Sequence, residues 1–219
     1  RNMFADCDRS SIGIQRAAFN ATISDSLFVQ VGDQHIDMEP TSVGQTGRLT
    51  MSNLVLLGGR QGQLHVTITG NGDSAIDVFL SNSMLVGRGL GIFQTRGAKL
   101  TNNYIEGTGA SQPGLVYIQK ASELVLISGN TIKRIGTAAG PALKAIMHNS
   151  GMPGRVIIES NHIESATDGN LIDLESVQDV TVASNELVFM GPTPGVFAGV
   201  KARATERDLE GLLVTGNRA

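Results

Sequence analysis

The sequence predicts an all-β fold: a single-stranded right-handed parallel β-helix in which each coil contributes three short strands. Three observations predict it, namely a short phrase that recurs along the chain, an asparagine at the same place in its regular copies, and a third alternating run between copies. Composition agrees, because 27 glycines and 6 prolines supply many turns, while 7 phenylalanines and no tryptophan leave an aliphatic core.

The recurring phrase has two apolar residues that alternate with polar ones, a two-residue gap, an asparagine, one variable residue and another apolar residue. Its five regular copies are marked by Asn103, Asn130, Asn161, Asn185 and Asn217. Two earlier copies, at Asn53 and Asn82, have a gap one residue shorter. The interval between copies averages about 27 residues, which we take as the length of one coil.

We expect the asparagine to form the sharp bend between two strands. Asparagine tolerates the left-handed backbone conformation of a sharp bend, and its amide can hydrogen-bond the equivalent amide in the coils above and below. The phrase therefore predicts an asparagine ladder along the stack. Residues 1–45 carry no regular copy, so we expect an N-terminal entry segment or cap there and the β-helix over residues 46–219.

The third strand of each coil is predicted by alternating runs between the phrases. These runs are Leu115–Gln119, Leu143–Met147, Leu171–Glu175 and Val196–Val200. The main structural alternative is a leucine-rich repeat, whose consensus fits Val177–Leu187 and Leu209–Asn217. Valine and isoleucine at most consensus positions, and a period of two between phrases, favour the β-helix.

The phrase, with Leu126–Ile132 and Ile157–Ile163 as examples, resembles the pectin-lyase-like superfamily of right-handed β-helix proteins over about residues 45 to 219. That superfamily includes polysaccharide lyases, glycoside hydrolases, epimerases, phage tailspikes and non-catalytic surface proteins, so the resemblance implies a theme of long glycans outside the cell. Neither the paired aspartates of polygalacturonases nor the Asp-Pro-His-Asp pattern of alginate epimerases is found, so no enzyme subfamily is indicated.

Charge and composition bear on the partners of the chain. A formal charge of −3 provides no field to attract nucleic acid, and no apolar run approaches the roughly 20 residues needed to cross a bilayer. Cys7 is the single cysteine and has no internal disulfide partner, and the carboxylates lack a metal-ligand spacing. We therefore expect no nucleic-acid partner, no membrane insertion, no metal and no cofactor.

A functional site on a stack of coils would be a column of outward side chains. Alternation along the third strands gives a mixed polar column of Tyr117, Gln119, Lys144, His148, Asp173, Glu175, Lys201 and Arg203. Asp173 and Glu175 could serve as general acid and water-activating base of an inverting hydrolase, with carboxyls roughly 6.5 to 9.5 Å apart. Alternatively, Lys201 or Arg203 could remove a proton in β-elimination beside a sugar carboxylate that His148 or Lys144 helps to neutralise.

The other polar residues of this column, Tyr117, Gln119, Lys144, His148 and Arg203, would bind substrate. The alternative is that the charges are cross-strand ion pairs that keep the sheet soluble. In that case the Asp173–Glu175 pair would be neutralised by neighbouring cations.

The sequence thus predicts an extracellular, cell-surface or virion-surface β-helix that binds polysaccharide, with lyase or hydrolase activity left open. Acidic glycans are favoured over neutral ones because the chain has no tryptophan on which sugar rings could stack. The alternative function is a non-catalytic structural rod of a phage spike or bacterial surface protein. Self-association, with a trimer as one form, is compatible with either function.

Overall fold

The computed structural model confirms the fold class: the chain is a right-handed parallel β-solenoid with three strands per coil. The structure describes residues 2–15, 18–30, 32–39, 46–58, 64–70, 75–108, 114–121, 123–135, 140–146, 154–166, 170–190, 199–203 and 211–218. These residues form 24 strands and no helix, which excludes the leucine-rich repeat for this part of the chain.

The strands form three eight-stranded parallel sheets, and successive coils add one strand to each. Sheet A contains β1 (Asn2–Ala5), β4 (Ser26–Val29), β7 (Val55–Leu57), β10 (Met84–Gly87), β13 (Tyr104–Gly107), β16 (Thr131–Arg134), β19 (His162–Ser165) and β22 (Glu186–Phe189). Sheet B contains β2 (Ile12–Ile14), β5 (Ile36–Met38), β8 (Val66–Thr69), β11 (Leu90–Phe93), β14 (Val116–Gln119), β17 (Leu143–Ile146), β20 (Ile172–Glu175) and β23 (Val200–Arg203). Sheet C contains β3 (Ala18–Ser24), β6 (Thr46–Ser52), β9 (Ala75–Ser81), β12 (Gly97–Thr101), β15 (Leu124–Ser128), β18 (Arg155–Glu159), β21 (Val180–Ala183) and β24 (Leu212–Thr215).

The core lies between the three sheets and is built by the apolar positions of the phrase. Val125 and Ile127 of β15 are fully buried, and Val125 pairs in register with Val156 of the next coil. Burying one such side chain stabilises the fold by roughly 1.5 to 3 kcal/mol. Because a slip of one residue would turn every inward side chain outward, this alternation fixes the register of the coils.

The asparagine ladder is confirmed over the five regular copies of the phrase. The Asn130 amide is typical: its Nδ2 donates to Asn161 Oδ1 at 3.0 Å and to Leu100 O at 2.8 Å. Its backbone N–H also donates to Asn161 Oδ1, at 2.9 Å. The same pattern runs from Asn103 to Asn185, where each rung joins three consecutive coils, and Asn217 ends the described ladder by bonding to the preceding coil.

The expected role of the ladder asparagine in the bend is wrong. The left-handed backbone conformation belongs to the residue before it, for example Asn102 at φ 55° and Ser160 at φ 54°. In the two irregular copies the left-handed residues are Asn53 and Asn82 themselves. In the copy at Asn82 the ladder position is held by the next residue, Ser83, whose N–H donates to Asn103 Oδ1 at 3.0 Å. Counting the phrase to Asn82 instead of Ser83 made its two-residue gap one residue shorter.

Residues 1–45, which we expected to form an entry segment or cap, include the five strands β1 to β5. These strands pair in parallel with those that follow; for instance, Asn20 of β3 lies opposite Arg48 of β6. Coil stacking in the described residues therefore begins before residue 46.

Candidate functional site

Strand register brings most of the predicted polar column together on the outer side of sheet B. One row runs Tyr117, Lys144, Asp173, Lys201, and the next contains Gln119, Glu175 and Arg203. His148 lies outside the described residues. The backbone position between Gln119 and Glu175 in the second row belongs to Ile146.

The charges of this column form a closed ion-pair cluster. Arg203 Nη2 lies 3.0 Å from Asp173 Oδ2 and 3.2 Å from Glu175 Oε2. Lys144 Nζ lies 3.8 and 3.7 Å from the same two oxygens. Side-chain exposure is only 7% for Asp173 and 15% for Glu175, so two carboxylates and two cations neutralise one another largely away from water.

This arrangement favours the ion-pair interpretation over hydrolysis. Both carboxylates are held by the same two cations, whereas an inverting hydrolase places its water and the glycosidic bond between its two carboxyls. Lys144 is engaged by these carboxylates rather than presented to a sugar acid. Burial, followed by the charge of Glu175, raises the pKa of the Tyr117 phenol, which keeps that hydroxyl protonated.

Lys201 stands apart from the cluster although it lies beside Asp173 in register. Its side chain is exposed, and the described residues provide it with no ion-pair partner. Of the three predicted catalytic residues, it is the one classed as exposed, whereas Asp173 is buried and Glu175 is partly buried.

Replacing Asp173 by asparagine is expected to lower the free energy of unfolding by about 2 kcal/mol. The change leaves Lys144 and Arg203 with one carboxylate between them in a largely buried setting, and breaking such a cluster is costly. The measurement is the urea midpoint. Glu186→Gln is the matched control, because that side chain is 61% exposed and should change stability by less than about 0.5 kcal/mol. Equal midpoints for Asp173→Asn and wild type would show that the cluster contributes nothing.

A second candidate surface, which sequence reasoning missed, is the outer face of sheet C. Alternation places a set of polar and aromatic side chains outward on three adjacent strands: Arg48, Thr50, Asp77, Phe79, Ser81, Lys99 and Thr101. Three adjoining grooves of about 550, 270 and 320 Å³ are lined by this set together with neighbouring residues. We call this surface the sheet C groove.

Phe79 lies at the centre of the sheet C groove between two cations. The Arg48 guanidinium carbon is 5.3 Å from the ring centroid and Lys99 Nζ is 5.6 Å from it. Each contact is within the range of a cation–π interaction. In the described part of the chain neither cation forms an ion pair, whereas Asp77 pairs with the neighbouring Arg96. The centre of the groove therefore carries two cations with no ion pair among the described residues, while the carboxylates of Asp77 and Glu123 line its edge beside Arg96.

Sheet A carries a polar network on its outer face, but its groups are paired with one another. Lys133 Nζ lies 3.1 Å from Glu164 Oε2, and His162 Nδ1 lies 2.7 Å from Glu186 Oε2. Tyr104 donates a hydrogen bond to Glu106, which raises the pKa of the tyrosine to about 12. The network fits cross-strand stabilisation better than ligand binding.

Within the described ranges, no group of three or more His, Cys, Asp or Glu side chains is arranged to hold a metal ion. That same part of the chain also lacks any helix whose length and apolar character would let it cross a bilayer.

Comparison with protein-family models, with curated proteins and with solved structures finds no match for this chain. The class of protein defined here is therefore the parallel β-solenoid with three sheets.

Proposed function

We propose that this chain is a polysaccharide-binding β-helix that holds an acidic glycan in the sheet C groove. The observation that carries the proposal is the pair of cations, Arg48 and Lys99, fixed on either side of Phe79 in an open groove. Extracellular, cell-surface or virion-surface placement belongs to the same proposal, because the superfamily that the chain resembles acts on long glycans outside the cell.

The shape of the groove supports a linear polymer as the ligand. Its three parts adjoin across β6, β9 and β12, and Arg48 lines all of them. Neighbouring strands are about 4.8 Å apart, so the groove extends along the stack rather than enclosing a compact molecule.

The chemistry of the groove supports an acidic glycan. A guanidinium presents paired donors that suit a carboxylate or sulfate, and an ammonium adds a second positive charge. Thr50, Ser81 and Thr101 lie beside them with hydroxyls that can donate to or accept from sugar hydroxyls. Packing on Phe79 limits the freedom of both cations, which reduces the entropic cost of binding an anion.

The proposal is tested by titrating polygalacturonate, alginate and neutral dextran into the purified chain. Wild type should bind an acidic polymer, and Arg48→Met and Lys99→Met should each weaken binding about tenfold, equivalent to about 1.4 kcal/mol. Arg155→Met is the matched control, since Arg155 is 56% exposed on sheet C but outside the groove, and its affinity should equal that of wild type. Failure to bind any polymer, or equal affinities for all variants, would refute the proposal.

A second candidate function, the non-catalytic structural rod, is favoured by the neutralised Asp173–Glu175 cluster. If the chain is only a rod, the folded protein will bind none of the polymers. The same mixtures can be followed for reducing ends and for the absorbance of unsaturated uronides. Product that wild type forms and Lys201→Ala does not would instead support a lyase. Because Lys201 is exposed, its replacement should not change stability, so the loss of product would report on activity.

A further inference from the structure

Two buried histidines, His35 and His65, stack on each other in neighbouring coils at the start of β5 and β8. Both have no exposed surface. Their ring centroids are 4.6 Å apart with an interplanar angle of 12°, and their Nδ1 atoms are separated by 2.7 Å. The backbone holds them in register, because His35 N–H donates to His65 O and His65 N–H donates to Gly89 O, each at 2.8 Å.

The geometry allows one proton between the two rings. A nitrogen–nitrogen distance of 2.7 Å fits a single hydrogen bond, so one Nδ1 donates and the other accepts. His65 Nε2 lies 3.0 Å from the carbonyl oxygen of Val86, to which it can donate, and 3.2 Å from the backbone N–H of Arg88, from which it can accept, so the tautomer of His65 sets which Nδ1 donates. In either tautomer His35 Nε2 is a buried nitrogen for which the described residues supply no hydrogen-bond partner.

The surroundings oppose a positive charge on either ring. Arg88 is 5% exposed and its Nη1 donates to Asp33 O at 2.6 Å, which keeps its charge beside the pair. The other side of His35 packs on the apolar ring of Phe28 at 5.8 Å. The Asp33 carboxylate acts on Arg88, and no carboxylate of the described chain hydrogen-bonds either imidazole.

We infer that the stacked His35–His65 pair is an acid-operated release for the N-terminal coils. Protonation of both rings would place two new cations within hydrogen-bond distance of each other beside Arg88, with one proton too many for the Nδ1–Nδ1 hydrogen bond. The coils around the pair precede the first asparagine rung at Asn103, and the ladder extends towards them through the Ser83 hydroxyl, which accepts the N–H of Leu54 at 3.0 Å, rather than through an amide. Acid would therefore open β1 to β8 while the coils from β13 onward stay folded, because coils of a solenoid contact only their neighbours.

The direction of the pH dependence follows from the pKa values. Burial, with Arg88 as the smaller cause, lowers the pKa of His35 from 6.5 to about 4, and burial followed by the charge of His35 lowers the pKa of His65 well below its usual value. Above pH 6.5 both the closed and the open coils hold neutral histidines. As the pH falls from 6.5 towards 4, only the open coils bind protons, so the closed state loses stability over that range.

The test is hydrogen–deuterium exchange at pH 7.5 and pH 5.0, corrected for intrinsic exchange rates. Peptides covering β4 to β8 should show an opening equilibrium at least about thirtyfold larger at pH 5.0, the effect expected of His35 alone, while peptides covering β15 to β22 should change little. His35→Phe should reduce this acid response by the factor of about thirty that His35 contributes, leaving that of His65, and the partly exposed control His162→Gln should keep the full response. Equal acceleration in both sets of peptides, or none in either, would overturn the inference.

If His35→Phe does not fold, the inference can be tested on the wild-type chain by following its imidazole resonances with pH. The imidazole resonances of His35 and His65 should stay at their neutral positions from pH 7.5 down to about pH 5 in the closed state. Titration of either ring with a midpoint near 6.5 would overturn the inference.

Discussion

Replacing Gly89 by alanine is expected to lower the free energy of unfolding by about 3 to 5 kcal/mol, the largest effect anticipated for any single methyl group here. An added Cβ would lie 1.8 Å from Leu115 O and 2.7 Å from its carbonyl carbon. That oxygen cannot move aside freely, because it accepts the N–H of Leu90 at 3.0 Å. The coils bearing β11 and β14 would have to separate locally.

The matched control for this prediction is Gly13→Ala in β2. An added Cβ there meets no atom within 4 Å and the backbone is not in the left-handed region, so stability should be equal to wild type or slightly higher. Urea denaturation of the two variants measures the difference. A Gly89→Ala chain within about 1 kcal/mol of wild type would contradict the close coil spacing at this corner.

Replacing Asn161 by alanine is expected to cost about 3 kcal/mol, because this rung is 2% exposed and joins three coils. Its Oδ1 accepts the backbone N–H of Asn130 at 2.9 Å and the Asn130 amide at 3.0 Å. Its Nδ2 donates to Ile127 O at 2.9 Å. It also donates to Asn185 Oδ1 at 2.9 Å, so alanine would leave two buried donors and two buried acceptors each short of one partner.

Asn20→Ala is the control for the ladder, since Asn20 is an exposed asparagine on strand β3. Its urea midpoint should match that of wild type, while that of Asn161→Ala should fall. Equal midpoints for the two variants would show that the ladder adds little to stability.

The architecture could be predicted because its causes are local and repeated. Alternating residues such as Val156 and Ile158 identify the buried side of a strand, and the regular spacing of Asn130 and Asn161 identifies equivalent places in successive coils. The position of the left-handed residue could not be predicted from the asparagine alone. Ser160 takes this conformation in one coil and Gly129 in another, so the residue type at that place varies.

The sequence predicted which residues lie side by side in the sheet B column, but it did not predict their burial or their ion pairs. Alternation along the strand predicted that Asp173 and Glu175 both face outward, each in its own row across the sheet. The strand register agrees with this prediction. Their burial and their sharing of Lys144 and Arg203 depend on side-chain rotamers and on how neighbouring coils align. Neither is encoded in the spacing of a single strand.

The sheet C groove was missed because its residues belong to three coils separated by loops of unequal length. Arg48 meets the Phe79 ring only in the register that those loops produce. One signal was available: Phe79 is an aromatic residue at the outward position of the phrase, where Thr50 and Lys99 stand in the adjacent coils. An outward aromatic between polar neighbours is typical of a recognition surface.

The most direct test of the central claim, that an acidic glycan binds the sheet C groove, is an amide chemical-shift map of the chain titrated with oligogalacturonate. The account predicts that shifts concentrate on β6, β9 and β12, around Arg48, Phe79 and Lys99, and that Lys99→Met reduces them. Shifts that concentrate instead on β14, β17 and β20, or that are absent at a saturating glycan concentration, would contradict it.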